Sequence, residues 1–277
     1  MYNETATCFR FWNRGRTQCE KKGFMRTQTI DFPDQQTPCV FPDERSDLVQ
    51  ATSELGLKGS YPVIVLIGGQ IDDQQADMTQ RAMQTIARTA GDLSAVVICG
   101  GTDMGVMAAI GQIRSRNDYK FPLVGVTPEE LVTWPGGPPR GTKFLLWGKQ
   151  RWQLESHHSH FILVPGSQFG DESPWIADTA TLLSKGHGSV TILINGGEVS
   201  RKDIELSLES DRPVIVMSRT GRLADELATQ PERNNLLTVL PANAKKAISE
   251  AIEAALSVRQ ESIREAAVFP AMEDVKS

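Results

Sequence analysis

From Tyr61 onward the chain alternates two patterns: runs of four or five consecutive apolar residues, and longer stretches in which apolar positions recur every three or four residues. Runs such as VIVLI, AVVIC, FILV and TILI are apolar on both faces, as strands are when helices cover each side of a sheet. The pattern predicts strands at 63–67, 95–99, 123–126, 160–164, 190–194, 214–217 and 237–240. It predicts helices at 75–90, 104–116, 174–185, 201–209, 223–229 and 242–256. Strand and helix alternate strictly, which predicts an α/β fold: one Rossmann-like, doubly wound, mostly parallel sheet of about seven strands.

The flanks lack this rhythm. Residues 1–57 carry prolines at 33, 38 and 42 and no sustained period, so they are expected to form an irregular N-terminal extension with a short helix at 46–55; Met25 is an alternative first residue. The periodic part defines a domain at 58–260, and the charged segment 261–277 is expected to be a flexible tail. Residues 128–153 interrupt the alternation, their glycines, prolines and tryptophans predicting a long loop or small excursion near the ligand edge of the sheet.

Composition narrows the function classes. A net charge of -5, with basic residues scattered rather than clustered among aromatics, gives no general pull toward phosphate polymers, so no nucleic acid partner is expected. No apolar run approaches the roughly 18 residues of a membrane helix, and the first residues lack the apolar core of a signal peptide, so the expectation is a cytoplasmic protein with no membrane partner. Cys8, Cys19, Cys39 and Cys99 match no metal or redox spacing and are expected to be reduced thiols.

In an open parallel sheet, ligands bind beyond the carboxyl ends of the strands. The first strand runs into Gly68-Gly69-Gln70, and the second into Gly100-Gly101-Thr102-Asp103-Met104-Gly105, which opens a helix. Glycine lets backbone amides approach a phosphate, and a helix N-terminus adds unpaired donors; the alternative is a tight turn without a ligand. The spacing is neither a Walker A loop nor GxGxxG. The fifth strand ends in Asn195-Gly196-Gly197, followed by a helix carrying Asp203, and the two GG turns are expected on neighbouring strands, facing one another across a crevice. After the fourth strand, Ser167-Gln168-Phe169-Gly170-Asp171-Glu172 sets two carboxylates at a helix start, where they either cap the helix or meet the ligand. After the sixth, Arg219-Thr220-Gly221-Arg222 offers guanidinium groups to a phosphate or carboxylate.

His157, His158 and His160 invite a metal reading, yet no further ligand completes a recognised set, and no metal is expected. Hydrogen bonds at the start of a strand, or stacking near the ligand, suit them better. No serine stands in a GxSxG elbow, so a hydrolase triad is not supported.

Taken in order, GGQ, CGGTDMGVMAAIG, VGVTPEEL, HHSHFILVPGSQFGDE, TILINGGEVSRKDIEL and MSRTGRLADEL resemble the SLOG superfamily, in particular its prokaryotic LSDAT branch. Animal relatives of that branch form the cytosolic N-terminal region of melastatin-type TRP channels. The resemblance runs from about Pro62 to Leu240. It implies a Rossmann-like fold that binds a nucleotide-derived small molecule, ADP-ribose-like compounds first, with no cofactor required; the wider superfamily implies a homo-oligomer. The implied ligand contacts are Gly68, Gly69, Gly100, Gly101, Thr102, Met104, Gly105, Ser167, Phe169, Gly170, Glu172, Gly196, Gly197, Gly221 and Arg222.

More distant relatives, the LOG phosphoribohydrolases, cleave the N-glycosidic bond of cytokinin nucleoside monophosphates with a GGGxxGLMG-like turn and a PGGxGTxxE motif. The turn is matched by Gly100 to Gly105, but the second motif departs: Asn195 replaces the proline, Val199 and Ser200 the Gly-Thr pair, and Asp203 the glutamate. A carboxylate one methylene shorter matters, because misplacement near 1 Å can cost about a hundredfold in rate. The resemblance therefore implies sensing ahead of hydrolysis, with Asp203 the catalytic residue of the enzymatic alternative and Arg140 and Arg151 candidates for its assisting arginine. In the channel relatives that bind ADP-ribose here, a tyrosine and an arginine stand where this chain has Phe169 and Ile176, while Arg222 keeps the matching charge.

Overall fold

A computed structural model describes residues 25–71, 73–139, 150–230 and 234–257. In chain order the elements are β1 (Arg26–Asp31), β2 (Gln36–Phe41), α1 (Leu48–Glu54), β3 (Val63–Gly68), α2 (Ala76–Asp92), β4 (Val96–Cys99), α3 (Gly105–Arg116), β5 (Leu123–Pro128), β6 (Val132–Thr133), β7 (Trp152–Gln153), β8 (His160–Val164), α4 (Ser173–Leu183), β9 (Ser189–Ile194), α5 (Glu198–Glu209), β10 (Val214–Ser218), α6 (Arg222–Thr229), β11 (Leu237–Pro241) and α7 (Lys245–Ser257). The predicted N-terminus and the tail at 261–277 lie outside the described residues, apart from the segment beginning at Met25.

The seven predicted strands form a parallel array, β8-β5-β4-β3-β9-β10-β11, in an α/β fold. The whole sheet has nine strands rather than about seven, because β1 and β2 extend it beyond β8. Residues 26–41, expected to be irregular, form an antiparallel hairpin closed by Phe32 N–H donating to Gln35 O, with Pro33 and Asp34 at the turn. Cys39 and Val40 then pair with Phe161 and Ile162 of β8. Period alone concealed these strands: β1 is an edge strand with only Ile30 buried among exposed neighbours, and Pro33 sits in the turn, Pro38 in β2 and Pro42 just after it.

Side-chain alternation on β3 feeds two cores: Val63, Val65 and Ile67 face α1, α4, α5 and α6, while Ile64 and Leu66 face α2, α3 and α7. On α2 the buried Ala82, Met83, Ile86, Ala87 and Ala90 repeat at three and four residues, forming the stripe that seats the helix. A third cluster joins Ile30, Phe32 and Phe41 of the hairpin to Trp134, Leu154 and Phe161, and so covers the β8 edge. The predicted excursion is there as the short β6–β7 pair, with residues 140–149 outside the described set. None of the described helices is long and apolar enough to cross a membrane.

The chain winds outward from β3 through β4 and β5 to β8, then returns to place β9 on the other flank of β3. This reversal opens a crevice at the carboxyl end of the sheet. It also corrects one expectation. The turns at Gly100 and Gly196 follow β4 and β9, which are not neighbours: β3 lies between them, and its own turn, Gly68-Gly69, bridges the two. Order along the chain gives the sequence of strands but not their sideways order in the sheet.

Candidate functional site

Close backbone approach assembles the site. Gly105 has φ of +51°, and a Cβ there would stand 2.1 Å from Gly69 O. A Cβ on Gly68 would stand 2.2 Å from Ile194 O. Only glycine permits these contacts, which weld the β4 turn to the β3 turn and the β3 turn to β9. The weld has a chemical consequence, since Val106 N–H at the start of α3 donates to Gly69 O at 3.3 Å. One of the helix-start amides expected to face an anion is therefore already satisfied within the protein.

Between these turns and the starts of α4 and α5 lies a cleft of about 190 Å³. Gly68, Gly69, Gln70, Gly100, Thr102 and Met104 line one side; Phe169, Glu172, Ile176, Val199, Ser200 and Asp203 line the other. Of the predicted contacts, Gly68, Gly69, Gly100, Thr102, Met104, Phe169 and Glu172 thus meet Asp203 in one cavity. Phe169 is held there by an edge contact with Trp152, 5.0 Å between ring centroids, so the excursion supports the cleft wall.

The remaining predicted residues stand elsewhere. Gly101, at φ +71°, packs on Gly125 and Phe161 beneath the turn. Ser167 lies in an exposed turn where its N–H and that of Gln168 donate to Asp171, and Gly170 O accepts from Lys202 Nζ. Gly196, Gly197, Gly221 and Arg222 form an adjoining group. The Arg222 guanidinium lies over two glycines: a Cβ on Gly69 would come within 3.1 Å of it, and one on Gly197 within 2.7 Å. Arg151 donates to Glu130 O and Pro139 O, away from the cleft, and Arg140 lies outside the described residues.

Asn195, the departure from the family motif, adopts φ of +60°, a conformation asparagine tolerates better than most residues. Its N–H donates to Thr220 Oγ1 and its Nδ2 to Thr220 O, tying the ends of β9 and β10 together. Its Oδ1 is buried without a partner and faces Gly69, as a Cβ there would stand 3.5 Å from it.

The two adjacent carboxylates of the α4 start divide their roles. Asp171 faces solvent, where donation from Ser167 N–H and Gln168 N–H holds its carboxyl below the usual range. Glu172 points inward, 6% exposed, with Gly170 N–H donating to it at 2.7 Å. Burial raises its pKa to about 7, aided by the negative charges of Asp203 and Asp171. Asp203, 9% exposed, is raised by burial to about 6, with the Ser173 hydroxyl and Lys202 tempering the rise. The Ser173 hydroxyl approaches the Asp203 carboxyl without reaching full hydrogen-bond geometry to Oδ1. Two buried acids that titrate near neutrality can accept hydrogen bonds, hold a shared proton or move one.

A second polar group, absent from the predicted site, lies nearby but does not line the cleft. Cys99 Sγ stands 3.1 Å from His158 Nε2, and His158 Nδ1 stands 2.7 Å from Glu155 Oε2. His157 contributes its N–H to Glu155 Oε2 and its Nδ1 to Oε1. Burial works against charge on His158, but Cys99 and Glu155 outweigh it and lift its pKa to about 9. Burial likewise opposes the Glu155 carboxylate, and hydrogen bonds from His158 and His157 reverse the balance and lower its pKa. The histidines therefore make the hydrogen bonds expected at the start of a strand. The glutamate two residues before the pair was the signal for their partner. Among the described residues, no group of three or more His, Cys, Asp or Glu side chains is placed to hold a metal ion.

Comparison with known proteins gives matches of three kinds. The family model described as SLOG in TRPM, prokaryote, matches residues 61–261. The mouse protein transient receptor potential cation channel subfamily M member 2 is 27% identical over 179 residues, covering 54% of this chain and 12% of the channel. The chain thus spans about 12% of the length of that curated relative. Among solved structures, the structural-genomics target TM1055 is 16% identical, with 70% of this chain and 99% of that chain covered and a TM-score of 0.49. The molybdenum cofactor carrier protein of Chlamydomonas reinhardtii is also 16% identical, with the same coverage and a TM-score of 0.44.

Proposed function

This chain belongs to the prokaryotic family described as SLOG in TRPM, and from that footing we propose that it binds a nucleotide-derived small molecule, ADP-ribose-like, in the cleft beyond β3, β4 and β9. The observation that carries the reading is the cleft itself. It sits at the reversal of strand order, where open α/β sheets take ligands, and three glycine turns bring backbone close to its space. Beside it the Arg222 guanidinium supplies the positive charge that a phosphate needs. The Gly100 to Gly105 turn lines the same side of the cleft as Gly69, so a phosphate beside Gly69 meets glycine backbone and the Arg222 cation together.

Gly100 allows a clean test. A Cβ there has only Met107 Cγ near it, at 4.0 Å, whereas one at Gly105 collides with Gly69 O. Gly100→Leu therefore fills the cleft without straining the turn. Calorimetric titration of the full chain with ADP-ribose, cyclic ADP-ribose, NAD and AMP is expected to show binding of at least one, lost in Gly100→Leu at an unchanged melting temperature. No heat from any of the four, or undiminished binding by Gly100→Leu, rejects the reading.

One observation favours a hydrolytic alternative, a nucleotide N-glycosidase: Glu172 and Asp203 share the cleft with pKa values near neutrality, as an acid–base pair requires. That reading predicts release of free base from a nucleoside monophosphate by the parent protein and none by Asp203→Asn. Incubations free of product, followed by chromatography, remove it.

A further inference from the structure

The turn between β10 and α6 holds three residues at positive φ: Arg219 at +69°, Gly221 at +93° and Arg222 at +50°. For the two arginines this left-handed region is unfavourable, so it persists only where surrounding bonds impose it. Those bonds come from two sides. Asp225 accepts from Arg219 N–H on Oδ1 and from Gly221 N–H on Oδ2. From the end of β9, Asn195 makes three more: its N–H donates to Thr220 Oγ1 at 2.8 Å, its Nδ2 to Thr220 O at 2.9 Å, and its carbonyl accepts from Ala224 N–H at 2.9 Å. Asn195 and Thr220 are each 1% exposed, so water does not compete for these bonds.

What this clamp displays is Arg222. Its Nη1 stands 3.1 Å from where a Cβ on Gly69 would lie, and its Nη2 2.7 Å from the same point on Gly197. The acids that follow it on α6 are engaged elsewhere, Asp225 with the backbone amides and Glu226 with Arg201. Asn195 reaches the same place, since its unpartnered Oδ1 is 3.5 Å from the Cβ point on Gly69 that Nη1 approaches. An arginine side chain loses much rotamer freedom on being fixed, and a pre-set turn removes part of that cost from binding. We propose that Asn195 is the positioning residue for Arg222: it holds the 219–222 turn in its left-handed form and so sets the guanidinium over Gly69 and Gly197, where it meets an anionic group of the ligand. The assignment rests on reading the cleft as a site for a nucleotide derivative. It makes the asparagine that stands where the phosphoribohydrolase motif has proline a working part of this chain. Proline, fixed near −65°, could neither adopt the φ of +60° nor give Thr220 its N–H bond.

The test is a double-mutant cycle. Asn195→Gly keeps the positive φ and the backbone bonds while removing the side-chain amide. ADP-ribose, cyclic ADP-ribose, NAD and AMP are titrated calorimetrically into the full-length parent, Asn195→Gly, Arg222→Ala and the double variant, each at several salt concentrations and with melting temperatures recorded. Arg222→Ala is expected to weaken binding about tenfold, the scale of a hydrogen bond to a charged group, and to make it less sensitive to salt. Asn195→Gly should weaken it by about three- to tenfold with the same loss of salt sensitivity, and should add nothing further once Arg222 is gone. A merely structural asparagine would lower the melting temperature and leave the salt sensitivity as it was. Parental affinity in Asn195→Gly or in Arg222→Ala, or losses that add independently in the double variant, overturns the positioning role alone. Should Asn195→Gly fail to fold, Thr220→Val severs the same link from the other side and carries the same expectations. Failure of the parent to bind any of the four compounds overturns the underlying reading of the cleft as well.

Discussion

Two groups of buried acid side chains stand near the carboxyl end of this sheet, and they differ in whether their atoms are answered. Glu155, 2% exposed, accepts from both neighbouring histidines, and through His158 it reaches Cys99. Even the helix opposite is shaped to it: a Cβ at Gly111 in α3 would stand 2.0 Å from Glu155 Oε2. Glu172 and Asp203 are buried to a similar degree, yet each has fewer partners: Gly170 N–H for Glu172, and the loosely placed Ser173 hydroxyl for Asp203. The same burial thus gives opposite outcomes. Partners lower the carboxyl pKa at Glu155, and their scarcity raises it at Glu172 and Asp203. A completed network fixes the fold, and a sparsely completed one beside a cavity leaves carboxyls whose protonation changes near neutrality.

The harshest way to break this comparison is to remove the carboxylate that is answered. Glu155→Ala leaves His158 fully buried without its carboxylate partner, and it opens space against Gly111. Breaking a buried pair from one side costs about 3–5 kcal/mol, so urea unfolding should show a loss of that order. The pH dependence follows from both partners. The His158 contribution is complete below its unfolded value near 6.5 and is lost as pH rises through about 9. The Glu155 contribution is present above 4.5 and is lost as pH falls through its lowered folded value. The parent should therefore be most stable between these limits, and Glu155→Ala should flatten both slopes. A variant of parental stability would mean the network holds nothing together.

The unanswered side should respond with the opposite sign. Asp203→Asn removes a buried negative charge, and stabilisation of about 2 kcal/mol is expected at pH 8, measured as a rise in the unfolding midpoint. The gain should be absent near pH 3.8, where the unfolded carboxyl also begins to hold its proton, and should grow as pH rises to about 6. Loss of stability at pH 8 would show that the carboxylate is satisfied after all, and the contrast with Glu155 would fail.

The contrast also explains how much was legible beforehand. Seven strands and their helices could be read because residues such as Val63 to Ile67, buried on both faces, leave a continuous apolar run. The hairpin at 26–41 could not, since an edge strand needs few apolar positions. The glycine turns at 68, 100 and 196 could be read at the carboxyl ends of their strands, but the placement of β3 between β4 and β9 is a fact of lateral order with no sequence signal. Asp203 and Glu172 were each singled out alone, and their meeting depends on where α4 and α5 begin. Glu155 was missed although it stands two residues before His157, because an acid is ordinarily a surface residue and only the fold shows it buried.

The smallest effect belongs at the rim of the answered network. His157 is 28% exposed in its side chain, and its ring contacts only Glu155 Oε1 within the network, while its backbone N–H serves Oε2. His157→Ala keeps the backbone bond, leaves the His158 bond intact and lets water reach the vacated oxygen. One partly exposed hydrogen bond replaced by water costs about 0.5–1 kcal/mol, several times less than removing Glu155. Because His157 does not line the cleft, ADP-ribose binding should stay at the parental level in the same preparation. A loss of binding alongside that small loss of stability would join the two groups into a single unit, since the answered network would then be setting the geometry of the unanswered one through the Gly101 turn, whose carbonyl accepts from Glu155 N–H.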